Sequence, residues 1–304
     1  MSWRSVVIMK PASLRIKQGS LVVEQDDGTV RVPLEDIAAI LIDHPQITLT
    51  ARLLSACAAS QIAVITVGDT RHPNGVLVSY LPHSRALKVI RTQMDLSLPS
   101  RKRLWSGIVR RKIHNQGAVL ANCGQPGIGQ RLDVLASRVR SGDPENIEAR
   151  AAQMYFPALF GTGFARGQEG FHNAALNYGY SILRAAIARS LVAYGFLTAI
   201  GLHHCNEQNA FNLADDLIEP FRPILDHHVL CRLQGSTGDA LEPTHKAGLV
   251  GVLHQDIALT GSPGVAGRTT VLAAIDAVVM GLSRCLQNGG SDLTLPVIER
   301  NGCA

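Results

Sequence analysis

The stretch FNLADDLIEPFRP, residues 211–223, sets Asp215, Asp216 and Glu219 among Phe211, Leu213, Leu217, Ile218 and Phe221. Removing a lone carboxylate from water is costly, so either these acids face solvent or a positive charge lies against them. Asp216 and Glu219, three apart on a helix, project from one side, while Asp215 is turned about 100° away. Asn212 is placed to cap that helix, which puts Asp215 in a first turn where the macrodipole favours an acid. For the pair, a salt bridge to Arg222 or another base and a shared divalent cation are both open.

Just upstream, GLHHCNEQNAFN places His203 and His204 next to the acids and reads as the end of a long apolar helix. Imidazole beside paired carboxylates is a donor set for a divalent cation with mixed nitrogen and oxygen ligands. Adjacent side chains seldom reach one ion from regular structure, so one histidine binds while the other packs. A third segment, SGDPENIEARAAQMYF, starts a helix at residues 141–144 and carries Glu145 and Glu148, between which spacing does not choose.

These groups must be held by elements of two kinds. From Ser5 to Asp69 short β-branched runs alternate with turns: SVVIM, SLRIK, SLVVEQ and TVRVPL, with an Asp-Gly turn in DDGT at 26–29, then IAAILID and IAVITVGD. One helix, TARLLSACAASQ, separates the last two, with Thr50 as its cap. Beyond TRHPNGVLVSYLPHSR the period changes to three and four, and the helix from Asn173 is apolar nearly all round, predicting a central buried position. The expected fold is α+β. A small N-terminal β-rich domain (1–75) for scaffolding and dimerisation is joined by a linker (76–85) to a larger all-helical catalytic domain (86–304).

The net charge of +5 is unevenly spread. Residues 81–150 carry 13 Lys and Arg against 5 Asp and Glu, whereas 1–80 carry 7 and 7 and 151–304 carry 9 and 12. Most of the excess lies in Arg101, Lys102, Arg103 and in Arg110, Arg111, Lys112, which share a helix face two turns apart and suit a phosphate backbone as well as plain solvation. No apolar run reaches the length of a membrane span and the N-terminus lacks a signal pattern, so the reading is a cytoplasmic protein with no membrane partner. The six cysteines, at 57, 123, 205, 231, 285 and 303, show no CxxC spacing. They read as buried or idle thiols in a reducing compartment, with zinc supported by nothing beyond Cys205 beside His203 and His204.

Taken together, GDPENIEARAAQMYF, NAALNYGYSILRAAIARSLVAYG, GLHH and FNLADDLIEPFRPILD closely resemble the CRISPR adaptation integrase, the Cas-one family, in its variant from single-effector (type II) systems. The resemblance covers essentially the whole chain. It implies a metal-binding triad of Glu148, His204 and Glu219, with Asp216 serving the same cluster and His203 as the other histidine one position away. It also implies that Arg166, Asn173, Asn177 and Tyr178 belong to the active-site and DNA-facing set. Members insert foreign DNA fragments at the repeat during spacer acquisition in antiviral defence, by 3′-hydroxyl attack on a phosphodiester, and have DNA endonuclease activity. Implied with this are Mg2+ or Mn2+, double-stranded DNA along the Arg101–Lys112 stripe, a homodimer, the small partner Cas-two and the effector nuclease. The transesterification needs no ATP, consistent with the absence of a P-loop pattern. The rival readings are a metal-dependent nuclease that only hydrolyses DNA and a non-catalytic DNA-binding scaffold.

Overall fold

In a computed structural model, residues 4–68, 73–80, 83–233, 241–260 and 267–300 are described. The N-terminal part contains two four-stranded sheets. In the first, β1 (Arg4–Ile8), β5 (Ile37–Ile42) and β7 (Ala63–Val67) run parallel, and β8 (Pro73–Leu77) closes the edge antiparallel to β7. In the second, β2 (Ala12–Lys17), β3 (Ser20–Gln25) and β4 (Gly28–Pro33) form an antiparallel meander, with β6 (Ile47–Leu49) parallel to β2. Asp26 and Asp27 make the tight turn between β3 and β4, where the sequence predicts one. Helix α1 (Ala51–Ala59) is capped by Thr50, whose hydroxyl accepts from the Leu53 amide at 3.3 Å.

Strand β5 is buried along its whole length because both faces of its sheet are covered. Ile40 and Ile42 point into a core shared with Leu14, Leu21, Val23 and Leu53. Leu41, on the opposite face, joins the core of the helices. The boundary between the two halves is therefore a shared packing surface, while residues 69–72 of the expected β-rich domain and 81–82 of the expected linker lie outside the described residues. A buried ion pair reinforces the junction: Asp43, just past β5, meets Lys246 Nζ at 2.5 Å and accepts from the Tyr178 hydroxyl at 3.3 Å.

Helices follow, as the periodicity predicts: α2 (Ala86–Met94), α3 (Leu98–Asn122), α4 (Pro126–Ser137), α5 (Ile147–Phe160), α6 (Phe171–Ala193), α7 (Asn212–Ile218), α8 (Arg222–Arg232), α9 (Pro243–Gly251) and α10 (Val271–Asn288). Their core is built around α6, whose buried residues include Leu176, Ile182, Leu183, Ile187 and Leu191. Helix α10 is long and apolar enough to cross a membrane by length and composition, but half of it is buried in this core. The helical half also carries a small three-stranded sheet of β9 (Asp256–Leu259), β10 (Arg268–Thr270) and β11 (Pro296–Val297), which the periodicity did not signal.

Two local expectations are corrected. The long apolar helix does not run on to the histidines: it stops at Ala193, because Gly195 adopts φ +84 and turns the chain away. Asn212 does not cap α7. Its side-chain amide donates to the Ala199 and Asn206 carbonyls, and its oxygen accepts from the Asn206 amide and from Asn209, so it closes the loop before the helix instead.

Candidate functional site

Glu148 reaches the site from the first turn of α5. Asp143 caps that helix end, accepting from the Ile147 and Glu148 amides at 2.9 and 3.0 Å, so the carboxylate that the sequence assigned to a helix start fixes where Glu148 emerges. Gly142, at φ +80 against the stem of Lys102, makes the preceding turn possible. Glu219 arrives at the end of α7, in a single 3-10 turn with Pro220 and Phe221 that leads directly into α8.

What brings the two glutamates together is Lys112. Its Nζ lies 2.6 Å from Glu148 Oε1 and 2.5 Å from Glu219 Oε2, and Arg222 Nε lies 3.0 Å from Glu219 Oε1. The salt bridge to Arg222 that the sequence left open is therefore present, and a second cation stands at the other oxygen. Lys112 leaves the outer stripe to which its spacing assigned it. Burial opposes charge on Lys112, Glu219 and Arg222. Yet Glu219 and Glu148 keep the Lys112 ammonium above its ordinary pKa, and Lys112 and Arg222 keep the Glu219 carboxyl below the usual glutamate range.

His204 is set by Asp216, which is completely buried. Asp216 accepts from the Leu202, His203 and His204 amides at 2.5, 3.2 and 3.1 Å, and from His204 Nδ1 at 2.7 Å. With Nδ1 engaged, Nε2 is the nitrogen His204 keeps for another partner. The hydrogen bond to Asp216 raises the His204 pKa against the effect of burial, and the charges of Asp216, Glu219 and Asp215 add to it. The loop closes tightly on Asp216. A Cβ at Gly201 would lie 2.3 Å from the His204 carbonyl oxygen and 2.8 Å from Asp216 Oδ2. Gln93 holds the start of this loop through the Leu197 amide and the Leu197 and Ile200 carbonyls. His203 lies flat on Trp105, ring centroids 4.3 Å apart and planes 2° from parallel, while His204 meets the same indole edge-on at 5.7 Å.

The neighbouring acid Asp215 pairs with Arg184 of α6 at 2.7 and 2.8 Å and takes Asn209 as well, which accounts for it structurally. Asn115, one turn beyond Lys112 on α3, was not singled out in the sequence. Its side chain donates to the Pro220 and Pro296 carbonyls at 2.9 Å each and accepts from the Ile298 amide. It pins the turn carrying Glu219, and a buried asparagine in an apolar helix face is the signal that could have marked it.

The remaining candidates disperse. Tyr178 is fully buried, its hydroxyl on Asp43, so it faces the junction of the two halves rather than a duplex. Asn173 is buried and, with Asn177, receives the Arg166 guanidinium, which also lies over the Tyr180 and Phe156 rings. Arg101 caps the end of α2 through the Met94 and Leu96 carbonyls, Arg110 grips the Val139 carbonyl, and Arg111 is half-buried. Lys102, Arg103 and Arg110 remain exposed along α3.

A divalent cation fits this donor set. Glu219 Oε2 is buried without a hydrogen-bond partner and is met only by the Lys112 charge. Two carboxylates are ordinary ligands for magnesium or manganese, and an imidazole nitrogen beside them favours the softer manganese. Glu148, His204 and Glu219 are not drawn as close as ligands of one ion. Among the described residues, the set of three His, Cys, Asp or Glu donors whose ligand atoms all lie within 4.8 Å of one another is Cys123, His227 and Cys231.

Sheets packed on a helical body, with acids and a histidine gathered at one cluster, agree with what comparison shows. The family model for CRISPR associated protein Cas1 matches residues 6–240. The CRISPR-associated endonuclease Cas1 of Neisseria meningitidis serogroup C (strain 8013) is 43% identical over 280 residues, covering 92% of this chain and 90% of that protein. A casposase bound to integration product superposes with a TM-score of 0.77 at 18% identity, covering 96% and 92% of the two chains. In a Cas6-RT-Cas1–Cas2 complex, a chain superposes with a TM-score of 0.70 at 18% identity, over 95% of this chain and 35% of that one. The chain belongs to the Cas1 family.

Proposed function

We propose that this chain is a metal-dependent DNA integrase of CRISPR adaptation, joining the 3′-hydroxyl of a captured fragment to a phosphodiester at the repeat, with endonuclease activity on DNA. The observation that carries the reading is the convergence of Glu148 and Glu219, from separate helices, on a single buried cation, beside a histidine whose free nitrogen is fixed by Asp216. Glu148, His204 and Glu219 would hold Mg2+ or Mn2+. Such an ion, when bound, polarises phosphoryl oxygens and stabilises the charge that develops on them.

The chain's own residues supply the rest. Asp216 keeps the His204 ring in one tautomer and one orientation. Arg222, stacked over Tyr180 at 4.6 Å, is held in place to oppose negative charge next to Glu219. Exposed Lys102, Arg103 and Arg110 attract the duplex through its phosphates without reading its sequence. The Cas1–Cas2 complex and the casposase bound to integration product support DNA and the small Cas2 protein as partners, and the resemblance adds a homodimer and the effector nuclease.

The test is strand joining of a fragment with free 3′-hydroxyls to a supercoiled, repeat-bearing plasmid. Glu148→Ala and His204→Ala should abolish joined products while the melting transition persists. Full joining by either variant would overturn the site. Hydrolysed ends without joined products in the wild type would favour a nuclease that only cuts.

A further inference from the structure

The six cysteines carry no metal motif in the sequence, but folding assembles one from distant parts. His227 and Cys231 lie four residues apart on α8, so their side chains share one face. Cys123 is the residue that ends α3, its amide bound to the Val119 and Leu120 carbonyls, which fixes its sulfur at that helix end. Helices α3 and α8 pack against each other, which brings the two thiols together. The three ligand atoms, Sγ of each cysteine and one ring nitrogen, all lie within 4.8 Å of one another. Donors bound tetrahedrally to one zinc ion stand roughly 3.5–3.8 Å apart, so small side-chain rotations would complete the contact.

The donor set differs in kind from that around Glu219. Two sulfurs and one imidazole are soft ligands, suited to zinc, whereas carboxylate-rich sites suit magnesium and manganese. Cys231 is exposed, so the fourth position opens to solvent.

We propose that Cys123, His227 and Cys231 form a zinc site, separate from the Glu148, His204 and Glu219 cluster, that clamps the C-terminal end of α3 to α8. The position gives the clamp a purpose. Cys123 lies three turns beyond Lys112 on α3, and α8 begins at Arg222, immediately after the turn that carries Glu219. An ion joining the far ends of these helices fixes the frame in which Lys112, Glu219 and Arg222 meet.

The experiment is metal analysis of the full chain purified with zinc, together with the absorption spectrum after cobalt substitution. Expected are one zinc per chain, a thiolate-to-cobalt charge-transfer band, tetrahedral visible bands, and a rise in melting temperature on adding zinc. Cys231→Ser, at an exposed position, and Cys123→Ser should each lose the zinc and the band, whereas Cys205→Ser should keep both. Zinc retained in the Cys123→Ser/Cys231→Ser double variant would overturn the site. So would a cobalt spectrum without a thiolate band, or a metal-free wild type two hydrogen masses lighter through a Cys123 to Cys231 disulfide.

Discussion

Lys112 Nζ stands 2.5 Å from Glu219 Oε2, inside the charge cluster rather than on the basic face its neighbours line. One ammonium therefore holds two carboxylates that repel each other, and it occupies electrostatic ground that a divalent cation would also claim.

Replacing Lys112 with Met should have opposite effects on the two states of the protein. Without metal, Glu148 is left uncompensated and Glu219 keeps only Arg222, at a cost of about 3 kcal/mol. Manganese then meets no competing charge. The expected outcome is a lower melting temperature in chelator, restored by manganese, with tighter manganese binding by calorimetry than in the wild type.

Asp216→Asn should loosen the metal without removing a ligand. The amide cannot satisfy the three backbone N–H groups and His204 Nδ1 together, so the imidazole loses its fixed orientation. Manganese affinity should fall by about 10–100-fold, the range found for outer-shell partners of metal ligands. Titration of the paramagnetic ion measures this directly, independently of DNA.

The Asp43 and Lys246 pair at the junction of the two halves is 5% exposed on both sides, so breaking it strands a charge. Lys246→Met should destabilise the fold by about 3–5 kcal/mol in denaturant unfolding. Adding Asp43→Asn should recover most of that loss, because the stranded carboxylate is then gone.

Asp226 gives a pH signature. Burial pushes its carboxyl up to about 6, against the hydrogen bond donated by the Tyr180 hydroxyl. A carboxyl raised on folding stabilises fully below its unfolded value near 3.8, and that contribution is lost as pH rises through about 6. Relative to the wild type, Asp226→Asn should gain roughly 3 kcal/mol between about pH 4 and pH 7, read from denaturation midpoints across that range.

The strands β1 to β5, the Thr50 cap and the helical second half follow from residue patterning, because alternation and three-four spacing are local properties. Glu148 acquired its functional reading in the sequence only through the family motif around it, whereas Asp216 and Glu219 already stood open between a salt bridge and a shared cation. Lys112 was misplaced for a physical reason: along α3, Arg103, Arg110 and Lys112 look alike by charge, and only the packing of α5 and the Glu219 turn decides which one is drawn inward. Tyr178 illustrates the same limit, since its hydroxyl finds Asp43 across 135 positions of sequence. The cluster of Cys123, His227 and Cys231 is equally non-local, with half of its spacing in the distance between two helices.

Asn115 has a consequence for how the protein comes into being. Its one side-chain amide binds the carbonyl of Pro220, beside Glu219, and that of Pro296, near the far end of the described chain. During synthesis the two four-stranded sheets, complete by Leu77, can assemble long before that segment leaves the ribosome. The turn bearing Glu219 cannot gain its full set of anchors until residues 296–298 arrive. A nascent chain, or one cut short before residue 296, would thus be folded in its first half while the turn that carries Glu219 still lacks two of its anchors.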